Sequence, residues 1–288
     1  MIELTVDGIK VLAEEGMSLL EVVRGAGFEV PTLCNHPAVE PYGACRLCQL
    51  QVSRGNWSRL VASCIFPAQD GLVVSTRSEE VVRARRMLLG LLWSRCPSST
   101  VIGDLARSYG LQRPPFPARD EACILCGLCV RFCRERVGAE AIGFQGRGPE
   151  RRVGTPFDLP SEPCYSCRAC AGICPIGTIH YEEVPGREAV RWYTAYEGDQ
   201  QPLPRARVDT ATCSGAGCAA CLTVCPVGCI RLVAAPEKGE AQTVALVDRD
   251  ACVGCRYCEK ICLKNAMQME PAQENPVTRA TVKESIDG

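Results

Sequence analysis

The chain has 288 residues, a formal net charge of −1 and 22 cysteines against only two histidines, His36 and His180. A near-neutral balance argues against nucleic-acid binding through counterion release. No apolar run nears the roughly 20 residues that cross a bilayer, Met87 to Trp93 being the longest candidate.

At roughly 100–200 residues per domain, the length suggests two or three domains. Met1 to Asp7 reads as a folded strand with no basic-then-apolar export signal, which sets the expectation of a cytoplasmic protein. In a reducing cytosol, cysteines at this density are expected to bind metal or do redox chemistry in place of forming disulfides. Ile2 to Val6 and Ile9 to Leu12 flank Asp7-Gly8, a two-residue hairpin signal. Ser18 is placed to cap a helix carrying Leu19, Leu20, Val22 and Val23. Pro31, Pro37, Pro41 and Gly43 then break regular structure, leaving backbone N–H groups free to face sulfur. That loop opens the first cysteine set, Cys34, Cys45, Cys48 and Cys64, with gaps of ten, two and fifteen residues. Three close ligands and a later fourth make a looped relative of the plant-type [2Fe–2S] pattern. With Leu47–Val52 and Leu72–Ser75 as strands, residues 1–78 are expected to form a β-grasp ferredoxin-like domain.

Residues 79–118 read as a helical connector. A helix is expected over Ser78–Trp93; its Arg83, Arg85 and Arg86 read as a solvated face in preference to a docking patch. A short helix should cover 100–110, and Arg113-Pro114-Pro115-Phe116-Pro117 reads as a linker. Residues 119–190 hold two tandem runs, Cys123-x2-Cys126-x2-Cys129-x3-Cys133 and Cys164-x2-Cys167-x2-Cys170-x3-Cys174-Pro175. This is the bacterial [4Fe–4S] ferredoxin signature, in which the fourth cysteine of each run serves the other cluster. The expected sets are therefore Cys123, Cys126, Cys129, Cys174 and Cys164, Cys167, Cys170, Cys133. Gly143 to Pro149 joins the runs as a glycine-rich turn; no Gly-Lys-Ser/Thr follows, so it is not read as a phosphate loop. Residues 191–207 are a second expected linker. Residues 208–270 repeat the device, with a stretched first gap opened by Gly215 and Gly217. The crossed sets there are Cys213, Cys218, Cys221, Cys262 and Cys252, Cys255, Cys258, Cys225. The tail, 271–288, is polar and cysteine-free, fit to be disordered or to order on a partner.

Zinc is the competing reading, since C-x2-C pairs are common in zinc sites. Zinc sites use two pairs with a spacer, or pairs with histidine, and four runs of this type do not follow that plan. Cys96 and Cys229 are left over and read as buried thiols. His36 reads as a loop residue because four thiols already complete its site, and His180 as a structural strand residue. Tyr42, Trp57, Trp93, Trp192 and Tyr193 read as packing or shielding aromatics more readily than as redox relays. Gly215-Ala-Gly217-Cys-Ala-Ala is rejected as a dinucleotide fingerprint because it lies inside a cysteine run with no suitable strand before it.

Pro-Thr-Leu-Cys34-Asn-His-Pro and Gly43-Ala-Cys45-Arg-Leu-Cys48 resemble the N-terminal region of a group of iron–sulfur proteins. That group comprises the complex I large iron–sulfur subunit, the small diaphorase subunit of NAD-reducing hydrogenases, iron-only hydrogenases and NAD-dependent formate dehydrogenases. The resemblance covers roughly residues 1–185. It implies conduction of electrons between a flavoprotein subunit handling NAD(P)H and a second, catalytic redox subunit. The group often carries a His-x3-Cys-x2-Cys-x5-Cys site after the first domain. Here Cys96 survives, but Leu92 and Ser99 stand at the histidine and next cysteine positions, and no cysteine lies near 103–105. That cluster is expected to be absent.

The fold expected is thus α+β: a β-grasp [2Fe–2S] domain followed by two bacterial-type 2[4Fe–4S] ferredoxin modules. The cofactors expected are one [2Fe–2S] and four [4Fe–4S] clusters. The function expected is an electron-transfer subunit of a multi-subunit oxidoreductase, with no catalytic residues or substrate site of its own. The alternatives are a free-standing polyferredoxin, a redox-sensing regulator lacking any evident output domain, and a zinc scaffold.

Overall fold

The computed structural model describes residues 1–119, 121–159, 161–164, 167–184, 187–192, 204–239 and 242–271. Tyr193, most of the expected second linker and the tail beyond Pro271 lie outside the described residues.

Alternating apolar residues and turn glycines build the N-terminal domain. β1 (Ile2–Val6) and β2 (Ile9–Ala13) form the expected hairpin, with Asp7 and Gly8 both at positive φ in its turn. α1 (Leu19–Gly25) starts at a capping box: the Ser18 hydroxyl accepts from the Glu21 N–H, and the Glu21 carboxylate accepts from the Ser18 N–H. Replacing Ser18 by alanine is expected to destabilise this domain by about 1 kcal/mol; a thermal shift within error of the unaltered chain would contradict it. β3 (Gln49–Arg54), β4 (Trp57–Ala62) and β5 (Val73–Ser75) complete a five-stranded sheet in the order β2-β1-β5-β3-β4. β1 and β5 pair in parallel while the other pairs are antiparallel. The sheet is therefore mixed, and α1 covers it with Leu19, Leu20, Val22 and Val23 buried against Leu4, Val6, Leu50, Val52 and Val74. β4 is a strand that the sequence reading lacked, because its first three residues, Trp57, Ser58 and Arg59, are exposed on both faces.

α2 (Glu79–Arg95) is capped by Ser78, and α3 (Thr100–Ser108) by Ser99. Arg85 departs from the solvated face expected for it. It is buried, and its guanidinium donates to the Leu47 and Gln49 carbonyls and the Tyr109 hydroxyl. α2 is thereby bound to the strand that follows Cys48. The proline-rich stretch after α3 is laid back on α2. The Phe116 N–H donates to Ser94 Oγ at 3.1 Å, and a Cβ on Gly90 would stand 2.8 Å from Pro115.

In the first cysteine-rich module, α4 (Leu128–Phe132) runs into a π-turn over Cys133–Val137. β6 (Gly143–Gln145) and β7 (Arg152–Gly154) make a hairpin of the glycine-rich segment. α5 (Ala169–Gly172) precedes the hairpin of β8 (Ile179–Val184) and β9 (Arg187–Trp192). The second module begins with β10 (Arg205–Val208), three residues ahead of the expected boundary, and β10 pairs with the last strand. α6 (Ala220–Val224), β11 (Ile230–Ala234), β12 (Thr243–Val247), α7 (Tyr257–Ile261) and β13 (Met267–Glu270) follow. One apolar core extends from Leu33 and Cys34 through Leu89 and Trp93, then Phe132, Ala169 and Ile173, to Val253 and Cys255. Both modules and the N-terminal loop thus share packing.

Candidate thiolate cages

The cysteine runs repeat a local conformation that spacing alone did not disclose. Arg46, Gly127, Arg168, Ala219 and Arg256 each directly follow a cysteine and precede the next by two residues, and all five have φ between 49° and 72°. A left-handed residue there costs energy for a side chain. It turns the chain so that successive N–H groups face the thiols, and in four of the five it opens a short helix.

The structure brings the twenty sequence-selected cysteines into five groups. In the N-terminal cage Cys34, Cys45, Cys48 and Cys64 are all buried. Leu33 N–H donates to Cys45 sulfur at 3.4 Å, and Cys45 N–H to Cys34 sulfur at 3.3 Å. The hydrogen bond from Cys45 brings the Cys34 thiol down to about 6 against its burial, and the bond from Cys64 does the same for Cys48. Their partners Cys45 and Cys64 are pushed up correspondingly.

In the first module the last cysteine of each run lies beside the other run. Cys123, Cys126 and Cys129 stand within electrostatic reach of Cys174, forming a near cage beside the N-terminal domain. Cys133 lies with Cys164, Cys167 and Cys170 in a far cage. In the second module Cys213, Cys218, Cys221 and Cys262 line an outer cavity. Cys225, Cys252, Cys255 and Cys258 line an inner one, together with Cys229. Burial raises the thiols of Cys123 and Cys255 to about 11 and of Cys258 to about 12, so occupation of these cages by metal must displace protons.

The donor set fits iron–sulfur clusters. It is all thiol, and none of the cysteines is in a disulfide. Backbone N–H groups of Leu125, Ala141, Thr178, Gly215 and Ala266 point at Cys123, Cys133, Cys174, Cys213 and Cys262 sulfurs at 3.2–3.4 Å. Such hydrogen bonds are one of the means by which a protein sets a cluster's potential.

Comparison with known proteins agrees with this geometry. Residues 1–79 match the family described as a 2Fe-2S iron–sulfur cluster binding domain. Residues 122–178 and 212–266 each match a 4Fe-4S dicluster domain. The chain is built of iron–sulfur cluster-binding domains. A third match, to a 4Fe-4S double cluster binding domain, spans 163–228 and would join the Cys164 run to the Cys213 run. Cys221 instead sits with Cys213, Cys218 and Cys262, which favours the dicluster frame.

Among curated relatives, the mitochondrial NADH-ubiquinone oxidoreductase 78 kDa subunit of Candida albicans is 30% identical over 62% of this chain and 28% of its own length. Its counterpart in Neurospora crassa is also 30% identical, over 62% of this chain and 27% of its own length. The alpha subunit of the NADPH-Fe(3+) oxidoreductase of Geobacter sulfurreducens is 29% identical, over 62% of this chain and 24% of its own length. The chain therefore spans about a quarter of these relatives. A chain in the crystal structure of an NAD+-reducing [NiFe]-hydrogenase, in its H2-reduced state, superposes with a TM-score of 0.54. It is 29% identical, and the match covers 67% of this chain and 88% of that one.

The joints between iron–sulfur domains are charged. Arg131 on α4 is buried and donates to the Cys34 and Glu40 carbonyls, with its guanidinium over the Tyr42 ring. Arg205 on β10 is likewise buried; it donates to the Cys252 carbonyl within the second module and stands near His36 of the N-terminal loop. Burial, with Arg205, Arg131 and Arg136 nearby, lowers His36 to about 4, so it is neutral at pH 7. His36 Nδ1 accepts the Ala38 N–H at 3.1 Å, a loop-holding role. Cys96 is buried, with its thiol raised to about 12 by burial. Cys229 is the residue whose place the sequence reading missed: it is buried as expected, but against cage thiols.

Proposed function

We propose that this chain is an electron-transfer subunit of a multi-subunit oxidoreductase, holding one [2Fe–2S] and four [4Fe–4S] clusters in series. The crossed cysteine sets named above are the proposed ligands. Iron–sulfur clusters supply one-electron acceptors; the chain's part is to bury them, aim N–H groups at their sulfurs, and fix their spacing. One observation carries the reading: a single core joins the N-terminal loop, both cages of the first module and the edge of the inner cage through Cys34, Cys129, Cys170 and Cys255, and the inner and outer cages pack together in a second core.

The proposed sequence of sites follows from neighbouring residues. Cys126 of the near cage lies within electrostatic reach of Cys34. Near and far cages share α4 and α5. Cys167 of the far cage accepts a hydrogen bond from the Tyr257 hydroxyl, and Cys255 of the inner cage lies within reach of Cys167. The outer cage, with Cys218 exposed and Leu263 89% exposed on the next loop, ends the series. Terminal placement and exposure suit exchange with a partner protein. The resemblance to an NAD+-reducing hydrogenase chain supports a flavoprotein partner that handles NAD(P)H, and a catalytic redox subunit as the other. No membrane-crossing helix is found among the described residues.

Anaerobic purification of the chain from its native cell tests this. A stoichiometric flavoprotein and a metal- or flavin-dependent partner should co-purify, and the chain should carry about 18 irons, from one two-iron and four four-iron clusters. A monomeric brown protein would overturn the subunit reading and favour a free polyferredoxin. A count near ten irons would mean that one module is empty.

A further inference from the structure

The inner cage of the second module contains five thiols where a [4Fe–4S] cluster takes four. Cys225, Cys229, Cys252, Cys255 and Cys258 line one cavity. Cys229 Sγ stands 3.5 Å from Cys225 Sγ and also hydrogen-bonds to the Cys252 thiol. Only 8% of Cys229 is exposed, so the thiol is held among the cage sulfurs and away from solvent.

The backbone explains how both thiols enter. The chain leaves α6 at Cys225 and reverses through Pro226-Val227-Gly228, with Gly228 at φ 63° and its N–H donating to the Cys225 carbonyl. It enters β11 immediately after Cys229, whose carbonyl accepts the Asp248 N–H from the end of β12. Position four after the last cysteine of a run is thereby fixed beside that cysteine. The same position is occupied in the other three runs by Val137, Thr178 and Ala266. Thr178 and Ala266 offer their N–H groups to the sulfurs of Cys174 and Cys262. None of those three side chains can ligate iron; Cys229 can.

We propose that Cys229 is an alternative iron ligand of the inner cage, interchangeable with Cys225. The exchange is redox-neutral. The Cys229 sulfur loses its proton as its bond to iron forms, the iron bond to Cys225 breaks, and the Cys225 thiolate takes up a proton. The turn between them needs no rearrangement of the cage's other three ligands. The proposal rests on the reading that this cage holds a [4Fe–4S] cluster.

The test uses the full chain, reconstituted anaerobically with ferrous iron and sulfide, and reads bound iron and sulfide. Cys225→Ala should retain the iron and sulfide of the unaltered chain. Cys225→Ala with Cys229→Ala should lose about one to four irons, as should Cys213→Ala in the outer cage, which has no fifth thiol. Loss from Cys225→Ala equal to that of the double variant would overturn the proposal. So would failure of Cys225→Ala to fold under conditions where Cys213→Ala folds. A double variant with undiminished iron would sink the cluster reading of this cage itself.

Discussion

Replacing Arg131 by alanine is expected to destabilise the joint between the N-terminal domain and the first module by about 3 kcal/mol, and to lower the potential of the [2Fe–2S] site. Two consequences of one side chain add here. The guanidinium donates to the Cys34 carbonyl in a buried contact and to the carbonyl of the exposed Glu40, and its removal leaves both without that donor. An unsatisfied buried carbonyl costs about 1–3 kcal/mol. The fixed positive charge also favours the charged Cys34 thiolate. A cluster held by four thiolates becomes more negative on reduction, so removing a nearby cation disfavours the reduced form. An interaction of about 1 kcal/mol corresponds to roughly 40 mV for one electron. Redox titration followed by electron paramagnetic resonance reads the potential, and the rate of cluster bleaching in denaturant reads the joint. Arg131→Lys separates the two effects. It keeps the charge but lacks the planar fork that reaches two carbonyls. The lysine variant should recover most of the potential and little of the stability. Unchanged potential in the alanine variant would remove Arg131 from the electrostatics of the site.

Much of this was legible in the sequence because thiolate spacing is a chemical requirement written locally. The hairpin at Asp7-Gly8, the cap at Ser18 and the crossed grouping of Cys174 with Cys123, Cys126 and Cys129 all follow from neighbours within a few residues or from a repeated motif. What could not be read was set by tertiary contact. Arg83, Arg85 and Arg86 are alike in sequence, yet only Arg85 meets the carbonyls of Leu47 and Gln49 across the connector. β4 was hidden because its first three residues are exposed on both faces, leaving too few apolar alternations to mark a strand. Cys229 looked spare because a linear motif counts four ligands. Its nearness to Cys225 and Cys252 exists only after the turn through Gly228 closes. Of the left-handed residues inside the runs all but Gly127 were equally silent, since arginine and alanine give no hint of positive φ.

Equivalent positions in the four runs show how the modules are joined, and they yield the second large expectation. The second residue after each third cysteine is Arg131, Gly172, Thr223 or Lys260. Arg131 meets the N-terminal domain. Gly172 lies against the Val253 carbonyl of the second module, where a Cβ would collide with backbone. Thr223 and Lys260 are exposed. The absence of a side chain at Gly172 is therefore what lets α5 approach the loop bearing Cys252 and Cys255. Gly172→Val should force the modules apart. Overpacking of this kind costs typically about 1–3 kcal/mol, and a collision with main chain leaves no rotamer to relieve it. Iron content should equal that of the unaltered chain, because no cage cysteine is touched. Magnetic coupling between the reduced far and inner clusters should weaken, and amide hydrogen exchange at Val253 and Gly254 should quicken. Thr223→Val, at the matching exposed position, should alter neither. If coupling survives in Gly172→Val, the far and inner cages are not the junction, and the series must cross between the modules elsewhere.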